Sequence, residues 1–216
     1  MEKDEIIDIL NRNQDNIESG NWEKVYESMK YDIRGDFSRF LIQNGIDINT
    51  LFKKYIPRFT FDWCSNITSF TLSTSIKEIG DRAFNKCTNL TSINLQNSVE
   101  KIGQGSFSEC ESLESITVPS LVQELPIYAF WGCTSLKSIT LSNGLKIIGQ
   151  GAFAYCRSLK SVRLPNSLQE IGYSAFGDCS DLVEIKYDGT EEEWKKVKKD
   201  VDWLLDCPVN NITFLR

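Results

Sequence analysis

The stretch CTNLTSINLQNSVEKIGQGSFSEC, residues 87–110, begins and ends on a cysteine, and its pattern recurs along most of the 216-residue chain. Six cysteines stand at the same interval of 23 residues: Cys64, Cys87, Cys110, Cys133, Cys156 and Cys179. A fixed period of this length is the sequence signature of a protein built from stacked repeats. We count coils from these cysteines, so that coil 1 begins at Cys64 and coil 6 at Cys179.

Each coil carries apolar side chains at fixed positions, numbered here from its cysteine. They stand at positions 3, 6, 8, 12 and 15, and a phenylalanine stands at position 20 of coils 1 to 5: Phe84, Phe107, Phe130, Phe153 and Phe176. Apolar positions 6 and 8 alternate with polar positions 5 and 7, which is the period of a β-strand. One strand cannot bury its face alone, so we predict six strands stacked about 4.8 Å apart in a parallel ladder.

A column of glycines follows the aliphatic residue at position 15. Its members are Gly80, Gly103, Gly149 and Gly172. Such a column favours a turn that requires positive φ. Pro126 takes this place in coil 3, so we expect the turn there to differ.

The unit L-x-S-I-x-L-x-N-S-L-x-x-I-G-x-x-A-F-x-x-C resembles the BspA-type leucine-rich repeat, over about residues 56–189. That family occurs on bacterial and protist surface proteins and in some bacteriophage genomes. The commoner leucine-rich repeat has its asparagine one place later than Asn97, Asn143 and Asn166. The resemblance implies protein or surface recognition without enzyme chemistry. The predicted fold class is α/β, a leucine-rich-repeat solenoid with a parallel β ladder and a cap at each end.

Residues 1–55 read as helical and are either an N-terminal cap or a small interaction domain. The pattern predicts helices over 5–10, from an N-cap at Asn21 to Met29, and over 35–43. A short fourth helix is predicted over 50–55, capped by Asp47 or Asn49. The repeat itself begins as half a coil at Ile56 and continues to residue 187, giving five to six coils.

Residues 188–216 are predicted to form a C-terminal cap of one helix and one strand. The sequence Thr190-Glu-Glu-Glu193 is a capping box, with threonine at the N-cap and glutamate three residues later. The helix is expected to continue to about Lys199 with Trp194 and Val197 facing inward, and 211–215 is expected to be the last strand.

Composition excludes several kinds of partner. The net charge is −6 and no region is rich in basic residues, so we expect no nucleic-acid binding. No run approaches the roughly 18 to 20 apolar residues of a membrane helix, so no membrane insertion is expected. The acidic N-terminus lacks the features of a secretory signal. This predicts a cytoplasmic protein, in the host cytoplasm if it is phage encoded, and a surface protein only if a signal peptide was removed.

The residue types for catalysis and metal binding are sparse. The chain has no histidine, which excludes mixed Cys/His zinc sites and nucleophile–histidine catalysis. A 23-residue spacing favours a column of buried free thiols, with disulfides between neighbouring coils as the alternative. Gly103-Gln-Gly105 lacks the third glycine of a dinucleotide motif. We therefore predict no enzyme, no cofactor and no metal.

Two surfaces are candidate binding sites. On the strand face, charged residues gather at the C-terminal end: Arg163, Glu184 and Lys186. On the opposite side, variable positions of coils 3 to 5 are apolar: Ile127, Tyr128, Trp131, Ile147, Tyr155 and Tyr173. Exposed aromatic clusters mark interfaces, with Tyr128 and Trp131 as anchors. The alternative is that these side chains pack beneath the turn of each coil.

The sequence therefore predicts a non-catalytic scaffold that binds a protein partner. Its first version is an intracellular binder or inhibitor of a host protein, encoded by a phage or other mobile element. The second is an adhesin-like surface module that binds matrix or cell-surface ligands. The third is a self-assembling protein that forms a homodimer.

Overall fold

The computed structural model describes residues 3–19, 21–29, 31–45 and 51–216, which form a solenoid preceded by helices. The strands at positions 5 to 8 stack in parallel, as predicted. They are β2 (Ser69–Thr71), β4 (Ser92–Asn94), β6 (Ser115–Thr117), β8 (Ser138–Thr140), β10 (Ser161–Leu164), β12 (Glu184–Tyr187) and β14 (Ile212–Phe214). Position 6 is buried in β2 to β12, whereas position 5 is exposed or half-buried, which explains the alternation in the sequence.

A second parallel ladder, which the sequence analysis did not predict, runs along positions 14 and 15. Its strands are β1 (Tyr55–Ile56), β3 (Glu78–Ile79), β5 (Lys101–Ile102), β7 (Glu124–Leu125), β9 (Ile147–Ile148), β11 (Glu170–Ile171) and β13 (Lys198–Lys199). Strands of two residues are too short to show an alternating pattern. They place the aliphatic residue of position 15 in the core in coils 1 to 5.

Each ladder is interrupted once, between β8 and β10 and between β5 and β7. The second interruption lies at Pro126. In other coils the glycine N–H donates to the preceding coil, as from Gly149 to the Leu125 carbonyl at 2.8 Å, and proline has no N–H to donate. The turn itself keeps the same left-handed residue, Tyr128, so the effect of the proline falls on the ladder rather than on the turn.

The glycine column does not serve positive φ, and that prediction is wrong. Gly80, Gly103, Gly149 and Gly172 all lie outside the left-handed region. A Cβ at Gly149 would lie 2.8 Å from the Leu125 carbonyl oxygen and 2.9 Å from the Ile127 nitrogen. Glycine is needed because the backbones of neighbouring coils approach too closely for a side chain.

The core consists of two side-chain columns that run through the solenoid. The phenylalanines of position 20 are buried and stack with centroids 5.2–5.4 Å apart between Phe84 and Phe176. The six repeat cysteines are buried free thiols, as predicted. Each thiol from Cys87 to Cys179 donates to the carbonyl of the phenylalanine 26 residues earlier, as Cys133 does to Phe107 at 3.2 Å. Burial raises the pKa of the Cys133 thiol to about 12.

Among the described residues, four helices precede the solenoid: α1 (Lys3–Arg12), α2 (Gln14–Glu18), α3 (Trp22–Ser28) and α4 (Tyr31–Gln43). The Asn21 side chain accepts a hydrogen bond from the Lys24 N–H at the start of α3. The helix expected over 50–55 is not found, because 51–54 form a turn and a bend and Tyr55 begins β1. Its predicted caps, Asp47 and Asn49, and position 50 lie outside the described residues.

Side chains of α4 donate to the carbonyls at the N-terminal end of the solenoid. Arg34 Nη1 lies 2.8 Å from the Arg58 carbonyl, and Arg39 Nη2 lies 2.9 Å from that of Trp63. The Ser38 hydroxyl donates to the Thr60 carbonyl and contacts the Tyr26 hydroxyl. Apolar side chains of these helices join the core of the solenoid, so helices and coils form one packed unit.

At the other end, α5 (Glu191–Lys196) begins with the predicted capping box of Thr190 and Glu193. The helix stops at Lys196 instead of continuing to Lys199, because 198–199 form β13 and pair with β11. Residues 201–206 then form one more turn against coil 5. Cys207 follows this turn, and its thiol donates to the Phe176 carbonyl at 2.6 Å, which extends the cysteine column.

Within the described part of the chain, no helix has the length and apolar character needed to cross a membrane. The same residues contain no group of three or more acidic, cysteine or histidine side chains placed to hold a metal ion.

Candidate functional site

The segments between position 15 and the next cysteine form the face opposite the first ladder, which we call the turn face. Positions 18 and 22 of coils 1 to 5 have left-handed backbone, as Arg82 (φ 52°) and Lys86 (φ 56°) show in coil 1. This repeated conformation stacks equivalent positions in columns. Side chains at positions 17, 18, 21 and 22 therefore lie beside those of the neighbouring coils.

Three aromatic rings of coils 3 and 4 form one contact cluster on the turn face. The Trp131 ring lies edge-to-face against Tyr128, at 6.5 Å between centroids, and against Tyr155 at 5.5 Å. Gln150 Nε2 donates to the Tyr128 hydroxyl at 3.3 Å, and the Arg157 guanidinium lies over the Tyr155 ring. Edge-to-face contacts hold rings in fixed orientations. The aromatic cluster of Tyr128, Trp131 and Tyr155 is therefore ordered while still partly exposed.

The structure brings five of the six predicted patch residues to the turn face. Besides the aromatic cluster these are Ile127 and Tyr173, both exposed and both at position 17, with Gln150 of coil 4 between them. Ile147 is not among them. It lies in β9 of the second ladder and pairs in register with Glu124 and Glu170.

A cleft of about 420 Å³ opens on the turn face beside the aromatic cluster. Arg82 and Lys86 of coil 1 line one wall, and Tyr128 and Trp131 of coil 3 line the other. Between them coil 2 contributes Gly105, Ser108 and Glu109, and the half coil before coil 1 contributes Asp62 and the exposed Trp63. The lining of the cleft thus comes from four successive layers, the half coil and coils 1 to 3.

The charged groups of the cleft are paired. Lys86 Nζ lies 3.4 Å from a Glu109 carboxylate oxygen and 4.1 Å from the centre of the Trp63 ring. Asn85 Nδ2 donates to the Asp62 carboxylate at 2.7 Å. Burial raises the pKa of Asp62, and the hydrogen bond from Asn85 opposes that shift.

The charged residues predicted on the strand face lie together at its C-terminal end. Arg163 is the register partner of Lys186 across β10 and β12. The Arg163 Nε atom pairs with Asp188 at 2.6 Å, and Lys186 pairs with Glu184 at 3.0 Å. These side chains satisfy one another, and exposed pairs of this kind are worth little, about 0–1 kcal/mol each.

Residues 54–183 match the family model of the BspA type leucine rich repeat region, in six copies. The chain belongs to this family. The BspA-type repeats cover more than half of its length and include β1 to β11, the six repeat cysteines and the turn face of coils 1 to 5. Members of the family are typically non-catalytic, and repeats of this kind serve as protein-interaction modules.

Solved structures of leucine-rich bacterial proteins have a similar fold. The leucine-rich-repeat protein of T. pallidum is 34% identical, with 62% of this chain and 64% of that one aligned and a TM-score of 0.57. A leucine-rich cell surface protein of Faecalibacterium prausnitzii is 36% identical, with 62% and 35% aligned and a TM-score of 0.60. A protein of Bacteroides ovatus is 25% identical, with 74% and 46% aligned and a TM-score of 0.58. The chain thus spans less than two thirds of each relative's length. No curated protein sequence matches it.

The sequence analysis of this BspA-type solenoid did not predict the cleft. Its signal is a gap in a column: position 18 is Arg82 in coil 1 and Tyr128 in coil 3, but Gly105 in coil 2. Reading each column for side-chain size, rather than for polarity alone, would have located it. Trp63 was missed because it belongs to the half coil that precedes the first repeat cysteine.

Proposed function

We propose that this chain is a non-catalytic scaffold that binds a protein partner through its turn face. The observation that carries the proposal is the aromatic cluster, in which Trp131 contacts both Tyr128 and Tyr155. Tyrosine and tryptophan are the residues that most often dominate binding energy at protein interfaces. Rings that are already oriented lose little freedom on binding.

Several features support a non-catalytic role. The chain contains no histidine. On its surface, lysines pair with glutamates of adjacent coils, as Lys77 does with Glu100 and Lys137 with Glu114. Such pairs suit a solvated solenoid surface, whereas an acid–base site requires groups set apart by their environments.

For the setting, we propose an exposed bacterial surface module over the intracellular inhibitor predicted from the sequence. The support is the F. prausnitzii relative, which is described as a cell surface protein. The intracellular alternative is favoured by the buried free thiols, since cysteines stay reduced in the cytosol. Protease treatment of intact source cells separates the two: digestion of the chain supports the surface setting, and protection until lysis supports the intracellular one.

We further propose the domain organisation predicted from the sequence, with caps at 1–55 and 188–216 on a solenoid of 56–187. The N-terminal cap is supported by α4, whose Arg34 and Ser38 donate to carbonyls that no earlier coil can reach. The C-terminal cap is supported by residues 201–206, which accept the hydrogen bonds of the coil 5 turn. Removal of either cap should expose apolar core and cause aggregation.

The test of binding uses affinity capture with paired variants. Tyr128→Ala combined with Trp131→Ala should weaken capture of a partner at least about tenfold, which corresponds to about 1.4 kcal/mol. Arg163→Ala combined with Lys186→Ala is the matched control and tests the strand-face prediction. Equal capture by the wild type and the aromatic variant, with loss in the charge variant, would move the site to the strand face.

The predicted homodimer has its own measurement. Light scattering over a hundredfold range of concentration gives the mass of the wild type and of the aromatic variant. A mass that doubles with concentration in the wild type alone would mean that the partner on the turn face is a second copy of the chain.

A further inference from the structure

The cleft exists because coil 2 carries small side chains where its neighbours carry large ones. Position 18 is Gly105 between Arg82 and Tyr128, and position 21 is Ser108 between Asn85 and Trp131. Gly105 has a φ of 58°, but Arg82 and Tyr128 adopt φ of 52° and 58° in the same column. The left-handed backbone therefore tolerates large side chains here. A Cβ at Gly105 would lie 3.5 Å from the Arg82 Cγ and 3.8 Å from the Ser108 Cβ, which are ordinary contacts, so a side chain here would clash with nothing and would enter the cleft that Gly105 lines.

The charge of the cleft indicates what kind of ligand it suits. Two acidic residues, Asp62 and Glu109, face two basic ones, Arg82 and Lys86, so the lining has no net charge. Glu109 is already paired with Lys86, and Asp62 with Asn85. An ionic ligand would have to break these pairs, whereas a neutral ligand can use their remaining lone pairs and N–H groups.

The rings of the cleft suit a ligand with an apolar face. Trp63 is 58% exposed and Tyr128 is 39% exposed, and Trp131, a member of the aromatic cluster, also lines the cleft. Aromatic faces carry negative partial charge and attract the C–H groups of a ligand that lies flat on them. Planar amide and carboxylate groups at Asn85, Asp62 and Glu109 can exchange hydrogen bonds with hydroxyls at the ligand's edge.

A sugar ring combines these properties, because its C–H face is apolar and its rim carries neutral hydroxyls. We propose that the cleft is a binding site for a neutral saccharide chain. Its volume of about 420 Å³ lies within the roughly 300–1,000 Å³ of small-ligand sites and leaves room for two sugar units. This proposal goes beyond the proposed protein binding and does not depend on it. The two can be tested separately, because a larger side chain at Gly105 would fill the cleft while leaving every ring of the aromatic cluster in place.

The test is a titration with two neutral disaccharides, cellobiose and N,N′-diacetylchitobiose, followed by the ¹⁵N–¹H signals of the tryptophan indoles. The chain has five tryptophans, and two of them line the cleft. We expect the Trp63 and Trp131 signals to shift with a Kd of about 1 mM for at least one disaccharide, while those of Trp22, Trp194 and Trp203 stay. A sulfated disaccharide should cause no shift, because the cleft offers no net positive charge.

Two variants locate the site. Gly105→Tyr places in coil 2 the residue that coil 3 already carries at this position, and should weaken binding at least about tenfold. Ser174→Tyr introduces the same residue at the same left-handed position of coil 5, away from the cleft, and should bind as the wild type does. If Gly105→Tyr fails to fold, Trp63→Ala replaces it, with the same expected loss.

The proposal is overturned if neither disaccharide moves the Trp63 and Trp131 signals at saturating concentration, or if Gly105→Tyr and Trp63→Ala bind as the wild type does. A shift only with the sulfated sugar would also overturn it. Protein capture by Gly105→Tyr is measured in parallel. Intact protein capture with lost saccharide binding in Gly105→Tyr separates the two functions. The Tyr128/Trp131 variant cannot separate them, because both residues also line the cleft.

Discussion

Replacing Gly149 with alanine separates two explanations of the glycine column, because they predict stability changes of opposite sign. Gly149 lies outside the left-handed region, so on conformational grounds alanine would restrict the unfolded chain and raise stability by about 0.4–1 kcal/mol. The structure predicts the reverse. The new Cβ would lie 2.8 Å from the Leu125 carbonyl oxygen and 2.9 Å from the Ile127 nitrogen, whereas ordinary contacts are about 3.5–4.0 Å.

The expected magnitude follows from what must move. Both contacts are to backbone, so no side chain can rotate away, and overpacking of this kind costs about 1–3 kcal/mol. Separation of the coils also weakens the 2.8 Å hydrogen bond from the Gly149 N–H to Leu125, worth about 0.5–1.5 kcal/mol. We expect a loss of about 3 kcal/mol, or a melting temperature lower by about 6–12 °C for a protein of this size.

The assay is urea denaturation under reducing conditions, followed by circular dichroism. Gly105→Ala is the matched control: its φ of 58° is left-handed and its nearest neighbour is a side-chain atom at 3.5 Å. It should lose only about 1–2 kcal/mol, the cost of left-handed backbone. If Gly149→Ala is as stable as the wild type, or if Gly105→Ala is the more damaging change, close approach of the coils is not the reason for the column.

Two further predictions concern buried polar groups. Ser106→Ala should stabilise the protein by about 1 kcal/mol, because the buried Ser106 hydroxyl has no hydrogen-bond partner within the described ranges and coils 1, 3, 4 and 5 carry alanine at this position; an unchanged or lower urea midpoint would contradict this. Stability should also fall as the pH rises above about 8.5, where unfolded thiols release protons that folded ones keep, since burial raises the pKa of Cys64 and Cys133 to about 12. Each buried thiol's contribution to the free energy of unfolding is fully present below that pH and decreases above it by about 1.4 kcal/mol per pH unit. Cys133→Val should reduce the slope of the free energy of unfolding against pH by the contribution of one thiol. A wild-type urea midpoint that stays constant to about pH 10 would refute the idea that the buried cysteines cause this pH dependence.

The period of 23 residues was sufficient to predict the solenoid, its first ladder and the burial of the cysteines. The capping box at Thr190 was predicted independently of the period, because that motif depends on residues only three apart. The second ladder was not predictable from periodicity, since strands such as Glu78–Ile79 are too short to alternate. The glycine column shows the same limit: its position was evident, but its cause lies in a backbone 23 residues away.

The arrangement of the candidate surface residues was predicted in part. The period predicted that the turn-face positions of adjacent coils lie beside one another, and Trp131 of coil 3 does contact Tyr155 of coil 4 as well as Tyr128 of its own coil. Ile147 was grouped with them by its apolar character, although its position in the coil belongs to the second ladder. The turn that ends in Cys207 was hidden because α5 interrupts the repeat between β12 and β13, so the spacing of 23 residues is lost there.

The backbone hydrogen bonds between neighbouring turn segments all have their donor in the earlier segment and their acceptor in the later one. Phe61 donates to Ala83, Phe84 to Ser106 and Phe107 to Ala129, and the series ends with Phe176 donating to Trp203. The N-terminal end of the solenoid therefore presents a row of carbonyl acceptors and the C-terminal end a row of N–H donors, so the two ends differ in polarity. Copies could join end to end only head to tail, and because Arg34 and Ser38 already occupy the acceptors, such filaments are blocked at the first coil.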